Sequence, residues 1–148
     1  MDRTLDGLRV LVVEDDSPSL KLATTVLRLA GATVTGVTDG RSAVERAVSE
    51  DFDVVLMDVQ IPVIDGREAT ARIRAAETVS ACHIPIIGVT AHAMAEHHAA
   101  CLVAGMDAVI TKPVDPLTFA SEVRACVDSV RQGMVDASGQ EPRHSPRS

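Results

Sequence analysis

The residues of this sequence that are best suited to chemistry stand at the ends of short apolar runs. Glu14 and Asp15 follow the first run, and Asp58 ends the third. Thr90 and Lys112 stand at the ends of the fourth and fifth runs. If these runs are strands of an open parallel sheet, their carboxyl ends meet along one edge, where such sheets bind ligands.

Three carboxylates gathered at such an edge indicate a cation site. If the first and third strands are neighbours, Glu14, Asp15 and Asp58 converge, and like charges in a low-dielectric crevice repel by several kcal/mol. Oxygen ligands with open coordination positions suit hydrated Mg²⁺ better than a transition metal. A carboxylate beside Mg²⁺, with a lysine and a hydroxyl across the pocket, has the groups needed to accept a phosphoryl group and form an aspartyl phosphate.

The elements that must position these residues form a regular alternation of apolar runs and segments with helical periodicity. This alternation is typical of βαβ units, so the sequence predicts an α/β fold with a five-stranded parallel sheet. The predicted strands cover Val10–Val13, Ala32–Val37, Asp53–Asp58, Ile84–Thr90 and Ala108–Thr111. The predicted helices begin at Ser17, about Arg41, about Arg67, about Met94 and directly after Asp115.

Capping signals define several helix starts. Asp16 and Asp39 each precede a predicted helix and are expected to cap it. Asp115 followed by Pro116 predicts the start of the last helix, with Leu117 as the first residue of its inward stripe.

The length of 148 residues corresponds to about one domain. Residues 8–131 are expected to form this domain, whereas residues 1–7 are expected to be flexible. Residues 132–148 are rich in Gly, Ser, Pro and charge without periodicity, so they are expected to form a disordered tail.

The composition argues against several functions and locations. The net charge of -7, with two Phe and neither Trp nor Tyr, makes direct binding of nucleic acid by this chain unexpected. The three cysteines, Cys82, Cys101 and Cys126, are odd in number and widely spaced. This favours a reducing cytoplasm over a disulfide framework or a zinc site. No apolar run predicts a membrane span or a signal peptide, so we expect a cytoplasmic protein without membrane insertion.

Four motifs, VLVVEDD, DVVLMDVQIPVIDG, IIGVTAH and ITKPV, follow one another along the chain. From about Leu8 to Val130 the sequence resembles a response-regulator receiver domain of two-component signalling. The segments GVTAHAM and CLVAGMDAVITKPV, with the acidic pair Glu-Asp, are most similar to receivers of hybrid histidine kinases. The resemblance implies a doubly wound, flavodoxin-like sheet with strand order 2-1-3-4-5.

The resemblance also implies a role for each residue of the acidic cluster. Asp58 is expected to be the phosphoacceptor and a metal ligand, and Asp15 a direct Mg²⁺ ligand. Glu14 is expected to act through water, and the backbone carbonyl of Gln60 to complete the metal site.

The remaining implied roles concern the phosphoryl group. Thr90 is expected to donate its hydroxyl to that group and to follow it inward on activation, while Lys112 pairs with a phosphoryl oxygen. Ala91 is small and leaves access for the donor, and Pro113 is expected to follow a cis peptide bond.

One position departs from the family pattern. Val109 stands where the family usually carries an aromatic side chain that swings inward on phosphorylation. Because valine has no ring to rotate, we expect activation to move the Thr90 loop and the following helix with little rearrangement at Val109.

Three histidines near Thr90 raise the question of a second metal site. His97 and Cys101 share a helical face, but no third ligand is evident and HExxH is absent, so a solvated or partner-facing helix is expected for His97 and His98. His92 is a candidate for tuning the access of water to the phosphoryl group.

The sequence therefore predicts a signalling phosphoacceptor rather than an enzyme. A histidine kinase or histidine phosphotransfer protein would donate the phosphoryl group to Asp58, and the modified chain would present an altered surface to a downstream protein. A receiver-like module that binds its partner without phosphorylation is the first alternative. An aspartyl-phosphate hydrolase is the second, although Gln60 stands where such enzymes carry a second aspartate.

Overall fold

The computed structural model describes residues 4–80 and 83–137, with the backbone alone for 78–80 and 134–137. Five strands and five helices alternate along the chain. The strands are β1 (Arg9–Val13), β2 (Thr33–Val37), β3 (Val54–Asp58), β4 (Ile86–Thr90) and β5 (Ala108–Thr111). The helices are α1 (Ser17–Leu29), α2 (Gly40–Ser49), α3 (Gly66–Ser80), α4 (Ala95–Ala104) and α5 (Phe119–Ala137).

All neighbouring strands are parallel and lie in the order β2-β1-β3-β4-β5, which confirms the predicted fold. Successive strand residues point to opposite faces of the sheet, so each strand contributes to two apolar clusters. One cluster includes Val10 and Val12 with residues of α1 and α5, and the other includes Leu11 and Val13 with residues of α2, α3 and α4. Helices on both faces explain why every residue of β3 and β4 is buried.

Both predicted aspartate caps are confirmed. The Asp16 side chain accepts hydrogen bonds from the backbone N–H and the hydroxyl of Ser19 at the start of α1, and these bonds lower the pKa of Asp16. The Asp39 side chain accepts a hydrogen bond from the Ser42 N–H at the start of α2.

The start of α5 is a correction to the sequence prediction. Asp115 caps a turn instead of the helix, since its carbonyl accepts hydrogen bonds from Thr118 and Phe119 and its side chain accepts one from Leu117. The helix begins four residues later, at Phe119. Leu117 is therefore 91% exposed, and Phe119 is the buried apolar residue that the sequence predicts at Leu117.

The folded part is longer at both ends than the sequence boundaries suggested. Leu5 is fully buried, and its N–H donates to the carbonyl of Ala30, so part of the segment expected to be flexible packs on the domain. At the other end α5 continues to Ala137, into the segment expected to be a disordered tail. Residues 1–3 and 138–148 lie outside the described residues.

None of the helices in the described ranges is long and apolar enough to cross a membrane.

Candidate functional site

The topology brings together the three acidic residues that the sequence singled out. Strands β1 and β3 are adjacent, with Val13 in register with Met57, so Glu14 and Asp58 follow at neighbouring positions on the sheet edge. One carboxylate oxygen each from Glu14, Asp15 and Asp58 lies within 4.8 Å of the others. Within residues 4–80 and 83–137, this is the one group of three or more His, Cys, Asp or Glu side chains that could hold a metal ion.

The acidic cluster is largely shielded from solvent. Glu14 is 6% exposed and Asp58 is 5% exposed, whereas Asp15 is exposed. Burial is the largest cause that raises the pKa of Glu14, and the neighbouring Asp58 raises it further. This is the expected response of a carboxylate that has lost water and faces a like charge.

Lys112 is the cation that compensates these charges. Its Nζ lies 2.9 Å from Glu14 Oε1 and 3.2 Å from Asp58 Oδ2. Burial acts to lower the pKa of Lys112, but the hydrogen bond to Glu14 and the charge of Asp58 together raise it above the usual value. Lys112 is therefore charged at neutral pH and bridges two carboxylates from different strands.

Backbone amides hold the two buried carboxylates in place. The Asp16 N–H lies 3.2 Å from Glu14 Oε2, and the Gln60 N–H lies 3.1 Å from Asp58 Oδ1. Behind Asp58 the chain turns sharply, because the Gly66 N–H donates to the Val59 carbonyl at 2.8 Å. A Cβ at Gly66 would lie 2.5 Å from the Asp58 carbonyl oxygen, so glycine is required there.

This donor set fits a hard divalent cation. Three carboxylates supply oxygen ligands within one site, and the two buried ones share one lysine as their counter-charge. Exposed Asp15 leaves the site open on one side for water or for a reacting group. Such a partly open, oxygen-only site suits Mg²⁺.

Thr90 ends β4, next to the strand that carries Asp58. Asp58 pairs in register with Val89, so Thr90 lies one position beyond it on the sheet edge. Thr90 is 1% exposed, and its carbonyl accepts a hydrogen bond from the Lys112 N–H at 2.7 Å. Its hydroxyl accepts a hydrogen bond from the His92 N–H at 3.1 Å. The end of β4 is thus hydrogen-bonded to the backbone of Lys112 itself.

The other predicted residues also lie near this edge. The Lys112–Pro113 peptide bond is cis, as expected. Ala91 is exposed and lines a cavity of about 350 Å³ together with Glu14 and Lys112. Val109 is half-buried in the middle of β5, and it packs against the cluster that contains Cys101.

Sequence reasoning missed two contacts of the histidines. His97 Nε2 lies 3.0 Å from the Thr90 hydroxyl, although the sequence suggested a solvated or partner-facing side chain. His92 Nε2 lies 3.1 Å from Gln60 Nε2 and so links the β4–α4 loop to the β3–α3 loop. Helical spacing alone gave no signal for either contact, because both depend on how the β4–α4 loop folds back over the sheet edge.

Comparisons with known proteins agree with this arrangement. A family model described as the response regulator receiver domain matches residues 10–124. Sensor protein GacS of Pseudomonas syringae pv. syringae is 45% identical over 116 residues, which cover 78% of this chain and 13% of GacS. The chain therefore spans a small part of this longer relative.

Two solved structures are similar in both sequence and fold. The first is the receiver domain of a sensor histidine kinase from Pseudomonas aeruginosa, crystallised with a magnesium ion coordinated in the active site cleft. It has 35% identity and a TM-score of 0.74, and it covers 82% of this chain and 98% of its own. The second, the receiver domain of a histidine kinase from Arabidopsis thaliana complexed with Mg²⁺ and BeF₃⁻, has 34% identity and a TM-score of 0.76 over 86% of this chain and 94% of its own.

Proposed function

This chain belongs to the response regulator receiver domain family of two-component signalling, and we propose that it accepts a phosphoryl group from phosphohistidine onto Asp58. The observation that carries this proposal is the position of Asp58. Its buried carboxylate lies 3.2 Å from a lysine ammonium and within 4.8 Å of two further carboxylates at the carboxyl edge of the sheet. A nucleophilic oxygen, a cation-binding cluster and a fixed positive charge are then within reach of one incoming group.

Asp15 and Asp58 would hold Mg²⁺ directly, with Glu14 acting through water and the Gln60 carbonyl completing the set. The relatives crystallised with Mg²⁺ support this assignment. Bound Mg²⁺ would neutralise the acidic cluster and withdraw charge from the phosphoryl oxygens.

In the transfer step an Asp58 carboxylate oxygen attacks the phosphorus atom. A P–O bond forms as the P–N bond to the donor histidine breaks, and the electron pair of that bond stays on the imidazole nitrogen. Lys112, now 3.2 Å from Asp58 Oδ2, can pair with an oxygen of the transferred group. Attack of water on phosphorus later restores the carboxylate and releases inorganic phosphate.

The donor would be a histidine kinase or a histidine phosphotransfer protein, consistent with the sensor kinases among the relatives. Phosphorylation would change the surface formed by α4, β5 and α5, which a downstream protein would recognise. The chain would work in the cytoplasm as a signalling phosphoacceptor, not as an enzyme acting on a separate substrate.

Intact mass after incubation with acetyl phosphate tests this proposal. We expect one Mg²⁺-dependent phosphoryl adduct on the wild-type chain and none on Asp58→Asn. The exposed Asp51→Asn is the matched control and should retain the adduct. A folded, Mg²⁺-binding wild-type chain without an adduct would contradict the proposal and favour a module that binds its partner without phosphorylation.

A further inference from the structure

The hydroxyl of Thr90 has two partners, and only one of them belongs to the loop that follows it. The His92 N–H donates to this hydroxyl from two residues away. The second partner, His97 Nε2 at 3.0 Å, belongs to α4. Thr90 is therefore bonded to the helix that packs behind the site as well as to its own loop.

His97 is held tightly in this position. Its N–H donates to the Met94 carbonyl at 3.1 Å at the start of α4. Its ring centroid lies 4.6 Å from that of His92, and its Nε2 lies 3.9 Å from the sulfur of fully buried Cys101. The imidazole thus fills the space between Thr90 and the first two turns of α4.

The direction of the hydrogen bond depends on which ring nitrogen of His97 carries the proton. The His92 N–H occupies one lone pair of the Thr90 oxygen, which leaves the second lone pair and the hydroxyl hydrogen for His97. Burial, followed by the charges of His92 and Arg67, lowers the pKa of His97, so its imidazole is neutral at neutral pH. A neutral imidazole with its proton on Nδ1 accepts the Thr90 hydrogen at Nε2.

We propose that His97 carries its ring proton on Nδ1 and is a positioning residue that competes with the phosphoryl group for the hydroxyl hydrogen of Thr90. A hydroxyl carries one hydrogen, so Thr90 cannot donate to His97 and to a phosphoryl oxygen at once. When Thr90 turns to the phosphoryl group, His97 and the first turn of α4 lose their bond to β4. This inference deepens the function proposed above and rests on it.

The arrangement gives the chain a link to α4 that does not need an aromatic side chain on β5. Val109, at the position where the family usually carries that ring, is half-buried and packs on the cluster containing Cys101. His97 contacts both Thr90 and Cys101, so release of Thr90 is transmitted directly to α4. The signal then leaves the site through the helix and not through β5.

Affinity for BeF₃⁻ in the presence of Mg²⁺ tests the competition, measured by calorimetry on the full chain. His97→Ala and His97→Phe remove the acceptor and should tighten binding by about threefold to tenfold, as expected for the loss of one competing hydrogen bond. His97→Gln offers a replacement acceptor and should stay near wild type. His98→Ala is the matched control on the same turn, since His98 contacts the His92 carbonyl and not Thr90.

A double-mutant cycle separates competition from a general structural effect. In the Thr90→Val background there is no hydroxyl to release, so His97→Phe should produce no further change in affinity. Unchanged or weaker BeF₃⁻ binding by both His97→Ala and His97→Phe, in folded chains, would overturn the proposal. If His97→Phe tightened BeF₃⁻ binding in the Thr90→Val background as much as in the wild-type background, the proposal would also be overturned.

Hydrogen exchange in the metal-free chain keeps this test separate from that of the proposed function. His97→Phe and Thr90→Val should each speed amide exchange in the first turn of α4, and the double variant should be no faster than either single one. If the wild-type chain accepts no phosphoryl group or BeF₃⁻, the proposed function fails, and additive exchange rates would still refute the bond between Thr90 and α4.

Discussion

At the scale of single residues, Lys112 determines how this site behaves without a metal. Two buried carboxylates, Glu14 and Asp58, face one another across adjacent strands, and the Lys112 ammonium lies within 3.2 Å of both. Breaking a buried ion pair by removing one partner is destabilising because the remaining charge is left uncompensated. The same ammonium occupies carboxylate oxygens that an arriving cation needs. We therefore expect Lys112 to stabilise the metal-free fold and to oppose metal binding.

Lys112→Met should separate these two effects. We expect the free energy of unfolding of the metal-free chain to fall by about 1–2 kcal/mol, because the carboxylates lose their partner while the side chain is only partly buried. Affinity for Mg²⁺ should rise, because no ammonium competes for Glu14 and Asp58. Urea unfolding followed by circular dichroism and calorimetric titration of Mg²⁺ measure the two quantities.

The other lysine of the chain provides the control. Lys21 is exposed on α1, so Lys21→Met removes the same charge away from the site and should change neither quantity appreciably. Weaker Mg²⁺ binding by Lys112→Met would show that the lysine supports the metal site instead of competing for it.

At the scale of elements, the β3–α3 loop has to turn sharply to position Asp58 and Gln60. Val63, in this loop, has φ of 72°, and the Ile64 N–H donates to the Pro62 carbonyl at 2.8 Å, which closes a tight three-residue turn. The loop is fixed against α2, because a Cβ at Gly40 would lie 2.0 Å from the Ile64 carbonyl oxygen. The contact with α2 holds Val63 at a positive φ in this γ-turn, a strained conformation that costs about 1–3 kcal/mol.

Val63→Asn should relieve part of this strain. Val63 is 69% exposed, so little buried apolar contact is lost, and asparagine tolerates a positive φ better than valine does. We expect the free energy of unfolding to rise by about 1 kcal/mol in urea titrations. Val63→Ile keeps the β-branch and should leave stability unchanged. A gain of equal size for Val63→Ile would show that strain at this residue is not the cause.

The secondary-structure elements differ in how well the sequence predicts them. The strand ends could be predicted, because apolar runs and parallel topology place Glu14, Asp58 and Lys112 on one edge whatever the side-chain details. The start of α5 could not, because the same Asp-Pro signal can cap a turn or a helix, and packing of Phe119 decides between them. The contact between Thr90 and His97 depends on the path of a loop, for which periodicity carries no information.

At the scale of the whole molecule, the metal site exists only in the folded chain. Asp15 follows β1 and Asp58 ends β3, and helices and a further strand separate them along the chain. An unfolded chain has no reason to hold these carboxylates within 4.8 Å of one another. A ligand that binds the folded chain and not the unfolded chain stabilises the fold by mass action. Mg²⁺ should therefore act on the stability of the entire domain, not on one loop.

We expect each tenfold increase in free Mg²⁺ above its dissociation constant to add about 1.4 kcal/mol to the free energy of unfolding. At a fixed Mg²⁺ concentration the total stabilisation should shrink as the pH falls toward the raised pKa of Glu14. Burial and Asp58 raise the pKa of Glu14, so Glu14 takes up a proton at a higher pH than an ordinary glutamate and then no longer attracts the cation. Urea unfolding by circular dichroism at two pH values and several Mg²⁺ concentrations measures this, and it suits a chain without Trp or Tyr.

Three variants define what the Mg²⁺ dependence means. Asp15→Asn should move the onset of the stabilisation to higher Mg²⁺ concentrations, because it removes a carboxylate from the cluster, whereas exposed Asp51→Asn should leave the onset unchanged. Glu14→Gln should bind Mg²⁺ more weakly at neutral pH but lose the dependence on pH between neutral pH and the pKa of Glu14. If Asp15→Asn were stabilised as much as the wild type, Mg²⁺ would be acting on the net charge of -7 and not at this site.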